Sequence, residues 1–94
     1  MDINNMAKKH HAWVDLMGWH NKTVLESMAL IASEVGEAVN ECRGDTPTPE
    51  FATELADIML RVVDLAYSQN IDLAAVIASK MLINEQRGTR GRVK

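Results

Sequence analysis

Apolar residues recur at three- and four-residue intervals in four stretches of the chain, and that period predicts four helices. The first runs from about Asn5 to His20, with Met6, His10, Trp13, Leu16, Met17 and His20 on its stripe and Gly18 loosening its end. The second opens at Thr23-Val24-Leu25-Glu26, which reads as a capping box: the Thr hydroxyl and the Glu carboxylate each satisfy a free amide. Met28, Ile31, Val35, Ala38, Val39 and Cys42 form its stripe, and Arg43-Gly44 should stop it. Asp45-Thr46-Pro47 reads as a loop. Thr48-Pro49-Glu50 opens the third helix, with Thr48 as cap and Pro49 at the first helical position. Its stripe is Phe51, Leu55, Ile58, Met59, Val62, Leu65 and Ala66, and Gln69-Asn70 ends it. Asp72 caps the fourth helix, which carries Leu73, Val76, Ile77, Met81 and Leu82 and ends at Gly88.

No strand, repeat or low-complexity stretch interrupts this pattern. Short connections between such helices favour an all-α, antiparallel four-helix bundle-like domain over residues 1–94. Leu60, Val63 and Ala75 lie off the main stripes and leave apolar surface to cover, which predicts a homo-oligomer, dimer or tetramer. The length points the same way: 94 residues, 47% of them apolar, can build a core but sit near the lower end of self-sufficiency.

Charge and cysteine content narrow the function. A net charge of −3 argues against a broad nucleic-acid-binding surface, so no stable nucleic-acid partner is expected. The single Cys42 excludes an internal disulfide and fits a reducing compartment. No apolar run approaches the ~20 residues a membrane span needs, and the N-terminus has no signal-like apolar segment. A cytoplasmic protein without membrane contact is expected. Arg87, Arg90, Arg92 and Lys94 crowd the end of the chain, and Gly91 keeps that basic tail (89–94) mobile. The tail either reaches phosphates on a neighbouring subunit or only solubilises.

The candidate chemistry lies in two pairs of acids. Glu34 and Glu37 are three residues apart on the second helix, and Glu54 and Asp57 are three apart on the third. That spacing puts both members of a pair on one face. Both pairs sit among apolar residues. Two unit charges about 4 Å apart repel by roughly 4 kcal/mol at an effective dielectric near 20, so such a cluster persists only with protons or cations to neutralise it. A hard divalent cation, Mg2+ with Mn2+ as a possible substitute, suits carboxylate oxygens and points to phosphate chemistry. Either pair alone is an ordinary feature of solvated helices; two pairs on successive helices are harder to explain as surface.

Glu34-x-x-Glu37, sixteen residues, then Glu54-x-x-Asp57 resembles the signature of the all-α nucleoside triphosphate pyrophosphohydrolases, the MazG-like superfamily. Ala32-Ser33-Glu34-Val35-Gly36-Glu37-Ala38 is similar to that family's first acidic helix, Glu54-Leu55-Ala56-Asp57-Ile58-Met59-Leu60 to its second, and Ile71-Asp72-Leu73 with Lys80-x-x-x-Asn84-x-x-Arg87 to its last. The likeness runs from about Thr23 to Arg87. Members commonly carry two adjacent acids at the first motif, whereas Ser33 holds the earlier position here.

The resemblance implies Mg2+-dependent hydrolysis of a (deoxy)nucleoside triphosphate to the monophosphate and pyrophosphate, with Glu34, Glu37, Glu54 and Asp57 as metal ligands and catalytic acids. It does not say which carboxylate serves as base. Lys80, Asn84 and Arg87, one face of the fourth helix, are then substrate-binding candidates for phosphate and sugar; as bare residues they equally make a polar outer face. Trp13 or Trp19, two of four aromatic residues, can stack a nucleobase or serve as core. His10, His11 and His20 have no metal-ligand spacing and read as structural or solvated. Glu41 either adds a ligand or solvates the helix end, and Gly36 either permits a close helix approach or is simply tolerated. Two other functions remain: phosphoribosyl-ATP pyrophosphohydrolase, which shares the acidic-helix plan, and a non-catalytic helical interaction module.

Overall fold

In the computed structural model, which describes residues 2–88, four helices form: α1 (Ile3–Leu16), α2 (Val24–Asn40), α3 (Phe51–Ser68) and α4 (Leu73–Arg87). Local side-chain chemistry starts three of them. The Asp2 carboxylate accepts the Asn5 amide of α1 at 2.8 Å. Thr23 and Glu26 make the expected capping box on α2, with bonds of 3.1 and 2.9 Å. Asp72 accepts the Ala75 amide of α4 at 3.1 Å. Asn4 joins this last cap to α1: its side-chain amide donates to Asp72 at 2.7 Å, and its side-chain oxygen accepts the Ala74 amide at 3.1 Å.

The start of α3 differs from the sequence expectation. Thr48 does not cap it. Its amide donates to the Glu41 carbonyl at 2.9 Å and its hydroxyl donates to the Glu41 carboxylate, so Thr48 fastens the loop to the end of α2. Glu50 occupies the cap position without a side-chain bond. Glu41, at the end of α2, thus accepts two bonds from the loop.

Two helices end in the same way. Trp19 donates its amide back to Val14 and Gly18 to Asp15, with Gly18 at φ +73. Ile71 donates to Ala66 and Asn70 to Tyr67, with Asn70 at φ 58. Both closures are left-handed Schellman turns, which glycine and asparagine tolerate best. The first shortens α1 from the expected His20 to Leu16 and sends His20 back along the helix it was expected to join.

Helix α3 is the centre of the fold. Both α1 and α2 pack against it, α4 rests lightly on α1 and α3, and α2 touches neither α1 nor α4. The expected four-helix bundle-like domain thus takes the form of a layer built around one helix. Its buried core is small: Ala7 and Val14 from α1, Ala38 from α2, Val63 and Ala66 from α3. Val63, expected to leave surface to cover, is the largest side chain removed completely from solvent among the described residues. Leu25 is 79% exposed, Met81 63% and Leu55 46%. The radius of gyration, 15.6 Å, exceeds the roughly 12 Å of a compact domain of this length. A Cβ added at Gly36 would meet no atom, so nothing within one chain approaches it closely. Among the described residues, no helix is long and apolar enough to cross a membrane.

Candidate functional site

Packing α2 against α3 turns the two acidic pairs toward each other. Glu34, Glu54 and Asp57, all half-buried, each bring a carboxylate oxygen within 4.8 Å of the others. Glu37 is exposed and stands beside Glu54. Burial pushes the Glu54 carboxyl above its ordinary value, and the charges of Glu37, Asp57 and Glu34, with hydrogen bonding to Glu37, push it further. Glu34 Oε2 and Glu54 Oε2 are buried without a hydrogen-bond partner. Buried carboxylate oxygens are costly unless something satisfies them. A set of hard oxygen donors with two such orphans fits a divalent cation of the Mg2+ class, which takes a few carboxylates and fills its other positions with water or phosphate. Among the described residues one cation of the protein's own reaches the cluster: Arg61 Nε donates to Glu34 Oε1 at 3.1 Å.

Glu34, Asp57 and Arg61 line a cleft of about 1030 Å³ that continues past α1. A second polar group lies further along it. Asp64 Oδ1 lies 3.0 Å from His11 Nδ1 and 2.9 Å from His20 Nε2. His20 Nδ1 stands 3.3 Å from Asp15. The rings of His11 and His20 stack at 4.1 Å, and Tyr67 packs on His11 at 4.6 Å. Burial pulls the His20 imidazole down, but its hydrogen bonds to Asp64 and Asp15 and their charges outweigh this and hold it above 6.5. The histidines expected to be merely structural or solvated thus include two that converge on one carboxylate. Trp13 and Trp19 also line the cleft, about half exposed and edge-to-face at 5.0 Å. They are not core.

The structure does not bring the α4 candidates to this place. Lys80, Asn84 and Arg87 are exposed and line no part of the cleft; Lys80 borders a separate shallow depression with Val76 and Ile83. Arg90, Arg92 and Lys94 lie outside the described residues.

Sequence reasoning missed Arg61, Asp64, His11 and His20. A signal for the first two was present: positions 54, 57, 61 and 64 step by three, four and three, so one polar stripe runs along α3. The two histidines gave none, because their nine-residue separation acquires meaning only through the reversal at Gly18.

No protein-family model matches the chain, and no solved structure matches it. Among curated proteins it is similar to a dATP/dGTP diphosphohydrolase of Salmonella phage PMBT28, with 31% identity over 85 residues. The alignment covers 90% of this chain and 27% of the phage protein, so the chain spans about a quarter of the length of the curated relative it matches.

Proposed function

We propose that the chain is a divalent-cation-dependent nucleoside triphosphate pyrophosphohydrolase that releases pyrophosphate and leaves the (deoxy)nucleoside monophosphate. The observation that carries this reading is the pair of buried, unpartnered oxygens on Glu34 and Glu54 within a cluster of acids. The similarity to a phage protein named for dATP and dGTP supports the nucleotide part and makes purine deoxynucleotides the first substrates to try.

Glu34, Glu37, Glu54 and Asp57 would hold the cation. When bound, Mg2+ neutralises these carboxylates and withdraws charge from phosphate oxygens. Arg61 is 42% exposed at its side chain and can offer its remaining N–H groups to the phosphate chain while Nε keeps Glu34. One of these carboxylates would accept the proton of an attacking water. Trp13 and Trp19 present flat faces to a base at the other side of the cleft. Lys80, Asn84 and Arg87 would reach the substrate from a second copy, as the open layer around α3 favours a dimer or tetramer. A cytoplasmic location suits a nucleotide substrate.

Incubation with Mg2+ and a panel of canonical deoxynucleoside and ribonucleoside triphosphates, followed by product chromatography, tests the reaction. Monophosphate plus pyrophosphate is expected. Diphosphate plus phosphate, or no turnover, contradicts it; turnover of phosphoribosyl-ATP alone assigns the chain to that reaction instead.

A further inference from the structure

We infer that His11, His20 and Asp64 form a second metal site, for a borderline divalent ion such as Zn2+ or Co2+, separate from the all-oxygen acidic cluster. Two imidazole nitrogens and a carboxylate are the donor set of metal sites that keep a further position open. The donor atoms lie together without rearrangement of the backbone: Asp64 Oδ1 is 3.0 Å from His11 Nδ1 and 2.9 Å from His20 Nε2, and Asp64 Oδ2 is 3.1 Å from His20 Nε2. An ion about 2.0–2.1 Å from each donor needs donors roughly 3.3 Å apart in a tetrahedron; the two nitrogen-to-carboxylate distances fall a few tenths of an ångström short of that, and all three donors lie within 4.8 Å of one another.

The surroundings hold this arrangement. Asp64 follows Val63, which is fully buried, and the His11 ring stacks on His20 and meets Tyr67 at a tilt. Asp15 faces the other nitrogen of His20 at 3.3 Å, where it can fix the tautomer and orientation of the ring, as carboxylates behind metal-bound histidines do. All three ligands line the cleft, so the open position faces its interior. Loading the ion displaces the imidazole N–H groups from Asp64: a neutral ring moves its proton to the other nitrogen, and a protonated ring loses one proton to solvent. The site does not merge with the acidic cluster. Asp57 and Asp64 are seven residues apart on α3, about 10 Å along the axis, well beyond the ~4 Å of a shared two-metal centre.

Titration of the metal-stripped full chain with Co2+, followed by visible absorption, tests the inference without reference to turnover. An intense band of a nitrogen-ligated, low-coordinate ion should saturate at one equivalent. It should persist in Glu54→Gln, vanish in His20→Ala and in Asp64→Asn, and need about tenfold more Co2+ in Asp15→Asn. No such band in the wild-type chain overturns the inference, as does a band that survives both His11→Ala and His20→Ala, or one that disappears in Glu54→Gln. Glu54→Gln removes the proposed nucleotide chemistry and spares these ligands, so failure of one reading is distinguishable from failure of the other.

Discussion

Arg61 Nε stands 3.1 Å from Glu34 Oε1, and among the described residues it makes the one ion pair that reaches the acidic cluster. The guanidinium therefore offsets carboxylate charge that a metal would otherwise neutralise, and under the proposed function its free N–H groups meet the phosphate chain. Replacing it by glutamine should tighten Mg2+ or Mn2+ binding a few-fold, because a competing positive charge is gone. The KM for a nucleoside triphosphate should rise about tenfold or more through loss of a charge-assisted hydrogen bond. Calorimetry and steady-state kinetics on Arg61→Gln read the two effects. If neither moves, Arg61 is only a surface ion pair.

The raised proton affinity of Glu54 makes stability depend on pH. The folded chain binds its proton more tightly than the unfolded chain, so the contribution of this group to stability falls as pH rises from the unfolded value near 4.5 through the higher folded one. Thermal melts of the metal-free protein should show that fall, and saturating Mg2+ should suppress it by occupying the site. The slope should be smaller in Glu54→Gln. An identical slope in that variant, with and without Mg2+, would remove Glu54 from the account.

His20 acts with the same sign over a higher pH range. Its folded value lies above 6.5 because Asp64 and Asp15 together outweigh burial, with the His11 ring as its other titratable neighbour. The stabilisation it contributes is fully present below pH 6.5 and lost as pH rises through the folded value. A proton-resonance titration of metal-free protein should place the His20 midpoint above 6.5, and Asp64→Asn should lower it. A midpoint at or below 6.5 in the wild type would mean that these hydrogen bonds do not form in solution.

Five small or medium apolar residues make the buried core, while Leu25, Met28, Leu55, Met59, Met81 and Leu82 remain between 41% and 79% exposed. Apolar surface on α2, α3 and α4 together is more than an isolated chain of this size ordinarily leaves in water. Light scattering at micromolar concentration should give two or four times the 10.5 kDa chain mass. A clean single-chain mass would contradict this, and would leave Lys80, Asn84 and Arg87 without a route to the cleft.

Much of this was legible in the sequence where local chemistry governs. The Thr23–Glu26 capping box and the Asp72 cap are set by short-range hydrogen bonding, and the structure has both. The four acids were legible because i, i+3 spacing fixes a face whatever the tertiary fold. What failed depends on distant partners. Thr48 looks like a cap until the end of α2 takes its hydroxyl, and Val63 looks like surplus surface until α3 proves central to the layer. His20 looks like a continuation of α1 until the turn at Gly18 reverses the chain and places it on Asp64. No periodicity encodes such a reversal, although the glycine that permits it is visible.

Whether the acidic cluster is a cation site is tested most directly by calorimetric titration of Mn2+ into wild-type, Glu54→Gln and Asp57→Asn protein. Saturable binding to the wild type, weakened at least tenfold in each variant, is the predicted result. Equal, weak binding to all three proteins would contradict it.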